Sequence, residues 1–541
     1  MPRYLPAAAC VVLTVAATAI SVRARPTGQP AFHLPDAPYR YAGVDLPAHV
    51  IQSPRHDDNT PSDNPLTDHG ATLGRVLFYD TRLSANNRTS CSSCHLQAHA
   101  FSDPRPASRG FRGAFTDRRA MPLVNLRYYE RARFFWDERA GNLEEMVLQP
   151  IHSRVEMGQD SRTLVELLAH DPAYPGLFER AFGDSQISES RIGRALAQFV
   201  RSMVSYRSRY DNGRARARSA QDDFDNFTRQ ENRGKALFMR HCSNCHMKDG
   251  NEHFFVPTPA NTGLRPHDPQ ADGGVGDVTM RGPDLGSFKS PSLRNVEVTA
   301  PYAHDGRFAT LEAVIDHYSE NPLVDLNLGY VMPVAPLKFT TSEKTALTAF
   351  LKTLTDRAFL SDPKFASPFA NQKRDASPAE RMRVVPPRTS RLASFNASDV
   401  LERILSFDAN KDHRIARDEL PERMEGLVSR GDKNQDGLLT PDEVGALLDT
   451  RPATPQQSVA APGAQTLADV IADLKLPLNT HNLAMATVKA PLNANAPTRF
   501  SIDTAMRELL DDEDYENFVA AADRMQRAPR LIGHSANVII D

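Results

Sequence analysis

Cysteine and tryptophan are scarce in this chain: its 541 residues include five cysteines and one tryptophan, and 7% of them are aromatic. So few thiols exclude a disulfide-stapled scaffold, which spends cysteine much more densely. The formal charge is only −3, and no strongly basic block stands out, so nucleic acid is excluded as an expected partner. Long apolar runs are missing too. The one apolar stretch, residues 7–20, is shorter than the roughly 20 residues that cross a bilayer. It follows Arg3 and precedes the small residues Val22 and Ala24, so residues 1–24 read as a secretory signal peptide. Export to a bacterial periplasm is expected, with no stable membrane span once the signal is cleaved.

The cysteine that is present is concentrated. Cys91-Ser-Ser-Cys94-His95 and Cys242-Ser-Asn-Cys245-His246 hold four of the five, and Cys10 lies in the leader. Two thiols three apart on one helical turn can add across the two vinyl groups of a haem, and the next side chain then lies under the iron. A shared zinc site would gather all four thiolates, whereas each pair here carries its own histidine. Two covalently bound haem c groups are expected, with His95 and His246 as iron ligands.

At 40% hydrophobic the chain can bury several cores. The expected fold class is mainly α: two cytochrome c-like haem lobes, then an EF-hand pair, then a helical C-terminal tail. A first lobe is placed at residues 60–225 and a second at 226–358. Apolar helical segments precede both haem motifs, at 73–78 and 234–239. Thr340 and Glu343 form a capping box ahead of Leu347, Phe350, Leu351 and Leu354, which share one helical face. Residues 359–395 and 450–465, rich in proline and small polar residues, read as linkers. The region 466–541 has no assigned role; a helix is expected near 502–525.

Between the linkers, residues 398–449 carry two calcium-loop patterns. Asp432, Asn434 and Asp436 stand at positions 1, 3 and 5, Leu438 offers its carbonyl at position 7, and Glu443 closes the loop at position 12. Asp408, Asn410, Asp412, Arg414 and Glu419 form an earlier loop, with His413 where glycine usually permits the sharp turn. Calcium is expected at both, more weakly at the first. Ile415 and Leu439 occupy position 8, where paired hands form a short strand contact.

The stretch around and between the haem motifs resembles the bacterial di-haem cytochrome c peroxidase and MauG family. The resemblance rests on Ala100-Phe-Ser-Asp103, Phe135-Trp136-Asp137, Leu143-Glu-Glu145, Val155-Glu-Met-Gly158, Ser292-Leu-Arg-Asn-Val296 and the run from Thr299 through Pro301 to Gly306. It implies a hydrogen peroxide-reducing enzyme whose first haem reacts with peroxide while the second stores electrons. It implies Glu156 as the distal acid–base group and Trp136 as the link between the haems. Met146 stands where the family has a distal glutamine, and a thioether there packs, is oxidised or ligates iron. Tyr318 falls where MauG-like members place an axial ligand of the second haem; Met332 is the competing ligand. The family also holds calcium between the haems through carbonyls equivalent to those of Thr299 and Pro301. The implied reductant is a small electron-transfer protein, a cytochrome c or copper protein, or else a protein substrate that becomes oxidised. The alternative is a non-enzymatic di-haem electron carrier or redox/calcium sensor, which Met146 ligation would mark.

Overall fold

The computed structural model describes residues 32–51, 58–247, 250–264, 272–320, 336–369, 401 and 403–449. The expected signal peptide, Met332, the expected linker 450–465 and the region 466–541 lie outside the described residues. Among those described, helices dominate and the only named strands are two short ones.

Each haem lobe is organised by one helix crossing in which glycine lets two backbones touch. In the first lobe, helix Asp68–Tyr79 begins at Thr67, whose side chain accepts the Gly70 N–H, and it is buried from Gly70 onward. It packs on helix Glu189–Arg201. A β-carbon on Gly74 would lie 2.0 Å from the Ala195 carbonyl oxygen, so no other residue fits. In the second lobe, helix Arg229–His241, started by a Thr228–Glu231 capping box, packs on helix Thr341–Lys352. There a β-carbon on Gly234 would lie 1.9 Å from the Ala346 oxygen.

The two crossings repeat in sequence as well. Gly74-Arg-Val-Leu-Phe78 corresponds to Gly234-Lys-Ala-Leu-Phe238, and Ala195-Leu-Ala-Gln-Phe199 to Ala346-Leu-Thr-Ala-Phe350. The Thr340–Glu343 box caps its helix as expected, and Leu347, Phe350, Leu351 and Leu354 are all buried.

The lobe limits differ from the expected ones. The first core already includes Tyr41 and runs to Met203 before later segments add to it, while Tyr210, Ala220 and Phe224 belong to the second core. Tyr210 is drawn there because its hydroxyl donates to Glu252 at 2.8 Å. Residues 210–225, expected with the first lobe, thus pack their apolar side chains in the second core. Similarly, helix Asp68–Tyr79 does not run into the first haem motif. Asp80 stops it and pairs with Arg82 at 2.6 Å, and a loop leads on to Cys91.

A second correction concerns residues 359–369, expected to begin a linker. They return from the second lobe and insert Phe359, Phe365 and Phe369 into the first core. Polar contacts pin this strap: Arg75 Nε donates to the Ala366 carbonyl, Tyr79 Oη to that of Phe365 and Tyr41 Oη to that of Lys364. Any linker starts after Phe369.

Residues 401–449 form a small helical module in which Ile415 pairs with Leu439 and Ala416 with Leu438, antiparallel. The contact expected at position 8 is present. The module's core of Ile404, Ile415, Leu420, Met424, Leu427 and Leu439 also takes in Met280 and Leu285 from the haem region, so the module is docked. Arg403 reinforces the docking by pairing with Asp277 at 3.0 Å.

Phe365→Ala is expected to cost about 3–5 kcal/mol through the cavity it leaves in the first core. Urea unfolding of the holoprotein measures this; a cost near zero would mean that the strap is not part of that core.

Candidate active site

At the first haem motif, Cys91–Cys94 form a single helical turn, and Ser90 and Ser93 make a reciprocal cap. Both thiols are free, and burial pushes each up to about 12. Ala100 and Phe101 adopt left-handed backbone angles, φ 53° and 58°, which swing the chain back toward the histidine. His95 Nδ1 then donates to the Phe101 carbonyl at 2.7 Å. That bond fixes the tautomer whose Nε2 carries a lone pair for a metal. Burial holds His95 below its ordinary pKa, so the ring stays neutral.

His95, Cys91 and Cys94 line a cavity of about 1750 Å³. This exceeds the roughly 300–1,000 Å³ of ordinary small-molecule pockets. Free thiols, an oriented neutral imidazole and a space of this size fit a covalent haem.

Helix Leu143–His152 and the turn after it supply the wall bearing the expected distal groups. Met146 and Glu156 both line the cavity. The Glu156 N–H donates to Ser153 Oγ at 3.0 Å, and its carbonyl accepts from Phe111 N at 2.9 Å. Gly110 allows this approach, because a β-carbon there would lie 1.6 Å from the Val155 oxygen. Burial pushes the Glu156 carboxyl up to about 7, Arg139 works against this, and the nearby Glu422 carboxylate adds to it.

Sequence reasoning missed Gln149 and Lys289. Gln149 lies one turn beyond Met146 on the same helix, lines the cavity and accepts from Arg139 Nε at 3.1 Å. Its i+3 spacing from Met146 was the available signal. Lys289 is fully buried beside the cavity. Among the described residues its Nζ has no hydrogen-bond partner; it stands 4.1 Å from the Tyr129 ring centre and is pushed down to about 7 by burial. A carboxylate entering with a haem would supply its missing partner.

The histidines near this cavity are engaged elsewhere. His99 Nδ1 bonds to the Val298 carbonyl at 3.0 Å, and His152 is held by the Gln159 carbonyl and the Glu189 carboxylate.

At the second motif, helix Arg229–His241 runs directly into Cys242, and Ser243–His246 continues as a turn. His246 is pushed down to about 4 by burial, and its Nδ1 has no partner among the described residues. Phe78 and Phe238, equivalent positions of the two crossings, stand 6.5 and 6.3 Å from the rings of His95 and His246. Tyr318, on helix Leu311–Glu320, is brought near Cys242 and Cys245. Burial and these two thiols hold its hydroxyl well above the ordinary tyrosine value.

Trp136 sits where the lobes meet. Its indole N–H donates to the Arg119 carbonyl at 2.7 Å, and its own carbonyl accepts from Lys289 N at 2.7 Å. The ring packs with Met121 and Phe288 and stands edge-on to His304 at 6.4 Å.

Of the two carbonyls expected to hold calcium, at Thr299 and Pro301, the first is engaged by a side chain. Arg119 Nη2 donates to the Thr299 carbonyl at 2.5 Å, to the Asp103 carbonyl at 2.9 Å and to Ser102 Oγ at 3.2 Å. A guanidinium thus occupies the Thr299 carbonyl, one of the two oxygens expected to hold calcium, and competes with an ion there.

In the docked module, the two loops make the same turn contacts. Asp432 accepts the Gly437 N–H at 2.8 Å, and Asp408 the His413 N–H at 2.8 Å. Asn434 accepts from Asp436 N and Asn410 from Asp412 N, both at 2.9 Å. His413 and Gly437 are both left-handed, φ 62° and 84°, and only glycine does this without strain. Glu443 and Glu419 turn onto backbone N–H groups of their own loops. Among the described residues, no three carboxylate, imidazole or thiolate side chains gather as a ready cation site.

Residues 68–219 match the family described as di-haem cytochrome c peroxidase, and residues 231–355 match cytochrome c. Methylamine utilization protein MauG of Methylorubrum extorquens is 34% identical over 301 residues, 54% of this chain and 80% of that protein. Cytochrome c551 peroxidase of Nitrosomonas europaea is 31% identical over 292 residues, covering 53% and 79%. Among solved structures, a MauG-like protein associated with microbial copper homeostasis superposes with a TM-score of 0.53 at 34% identity, covering 60% of this chain and 99% of that one.

Arg119→Met removes one charge and leaves three buried oxygens without their donor. It is expected to cost about 1–3 kcal/mol through the unsatisfied acceptors, read as a lower urea midpoint for the haem region. A change within error would show that the guanidinium does not tie the lobes.

Proposed function

The chain belongs to the di-haem cytochrome c peroxidase and MauG family, and from that premise we propose that it reduces hydrogen peroxide at the haem held by Cys91, Cys94 and His95. One observation carries the reading: His95 and Glu156 line the same cavity, and Glu156 has a pKa suited to moving protons near neutrality. When bound, the haem groups supply redox iron that accepts peroxide oxygen and delivers electrons. The overall reaction takes up two electrons and two protons per peroxide and releases two waters.

The chain's own residues do the rest. Glu156 takes the proton from the near peroxide oxygen and returns it to the far one, so that water can leave. Gln149, with its oxygen engaged by Arg139, keeps its amide N–H groups for the cavity, a donor role that Met146 cannot fill. Met146 packs in the wall. Trp136, clasped by both lobes, is the bridge for electrons between the haems.

Cys242, Cys245 and His246 would hold the second haem, with Tyr318 the favoured further ligand and Met332 the competing one. A tyrosine there stabilises oxidised iron. That placement favours a protein side chain as the reductant, oxidised in a MauG-like manner; a small cytochrome or copper protein is the other reading. The non-enzymatic carrier, which Met146 ligation would mark, is disfavoured because Met146 packs in the first core and Glu156 shares the cavity as a proton-moving group.

The loops at Asp408–Asn410–Asp412–Glu419 and Asp432–Asn434–Asp436–Glu443 suit calcium once their acidic side chains turn inward, with the carbonyls of Arg414 and Leu438 completing each set. The ion would act as a structural clamp on the module. No helix among the described residues is long and apolar enough to cross a membrane, and we place the exported protein in the periplasm.

Glu156 is protonated below about 7, so the peroxide step is expected to slow as pH falls through that value. Glu156→Gln should remove this pH limb and slow the step ~100-fold. Stopped-flow mixing of the oxidised holoprotein with stoichiometric peroxide measures both, and an unaltered rate would retire the assignment. In calorimetric titration with calcium, Asp432→Ala is expected to abolish the tighter of two binding steps; a curve like that of the unsubstituted protein would overturn the calcium reading.

A further inference from the structure

The calcium-loop module does more than dock beside the haem region: part of it closes the first cavity. Pro421, Glu422, Met424, Leu427 and Arg430, from the segment joining the two loops, line the same cavity as His95 and Glu156. Glu422 reaches furthest. Its carboxylate accepts from Ser153 Oγ at 2.8 Å and from Arg154 N at 2.9 Å. Ser153 Oγ in turn accepts the Glu156 N–H, so Glu422 grips the turn that carries the distal glutamate.

The segment is held on both sides of the opening. Arg423, only 10% exposed at its side chain, bonds to Asp117 at 2.7 Å and lies 3.7 and 3.6 Å from Asp272 and Asp277. Arg154 pairs with Glu425, and Arg430 donates to the Val278 carbonyl at 2.8 Å. These contacts join the module to the distal turn on one side and to residues 272–278 on the other, across the mouth of the cavity.

We propose that residues 417–430 are a size filter for the first haem, admitting peroxide-sized molecules and excluding bulky hydroperoxides, aromatic reductants and protein side chains from its distal face. The filter rests on the peroxidase reading for its purpose. It also has a consequence for that reading: electrons reach the first haem through the protein, by way of Trp136, and not by direct contact of a donor with the distal cavity. Glu422 is a positioning residue in this scheme, acting on the reaction through the Ser153–Glu156 turn.

The test uses the full-length oxidised holoprotein and two iron ligands of different size, cyanide and 4-phenylimidazole, followed by absorption. Cyanide is expected to bind the unsubstituted protein, and 4-phenylimidazole to bind it at least roughly 10-fold more slowly than it binds the Arg423→Ala variant. Cyanide rates should change much less. Arg154→Ala, a substitution at a largely exposed side chain, should give the same selective gain with little risk to folding. An unchanged ratio of the two rates in both variants overturns the filter and leaves the peroxidase reading standing. If neither ligand binds any form, the first iron is closed by the protein itself, and both readings fall.

Discussion

Two helix backbones in contact across a glycine are the constraint from which the haem lobes follow. At Gly74 and again at Gly234 the approach leaves no room for a side chain. Close contact fixes the angle and depth of the crossing, because the backbones cannot slide without a clash. Phe78 and Phe238, one turn past those glycines, are thereby placed against His95 and His246. The geometry of each haem histidine is thus set by a crossing well away from the cysteines.

Between the lobes the organising element is a buried cation. Arg119 spans oxygens from both haem regions with its side chain, while its backbone carbonyl holds the Trp136 indole and its N–H meets the His304 carbonyl. A divalent ion could join the same oxygens, but its loss would depend on the surrounding medium. A covalently tethered guanidinium has no such dependence, and the position of Trp136 is then built into the chain.

Much of this was legible in the sequence because covalent and capping chemistry is local. The Cys-x-x-Cys-His runs, the Thr340–Glu343 box, and the Ile415–Leu439 pairing each depend on residues whose spacing is visible. The repeat of Gly74-Arg-Val-Leu-Phe78 in Gly234-Lys-Ala-Leu-Phe238 was legible too, though only the crossing explains why glycine stands there. What the sequence concealed was long-range. Nothing local marks Arg119 as the occupant of a cation position, or Glu422 as a wall of a cavity more than two hundred residues earlier in the chain. The strap 359–369 was hidden for another reason: its proline and polar content resembles a linker, while its three phenylalanines insert singly and make no periodic pattern.

That strap also makes the two lobes interdependent. Phe359, Phe365 and Phe369 belong to the core that surrounds the first haem motif, yet they follow the whole second lobe in the chain. Closure by so distant a segment carries a large loop entropy and is slow relative to local helix formation. The first lobe is therefore not an autonomous unit: cutting the chain after the second lobe would take three phenylalanines out of the first core.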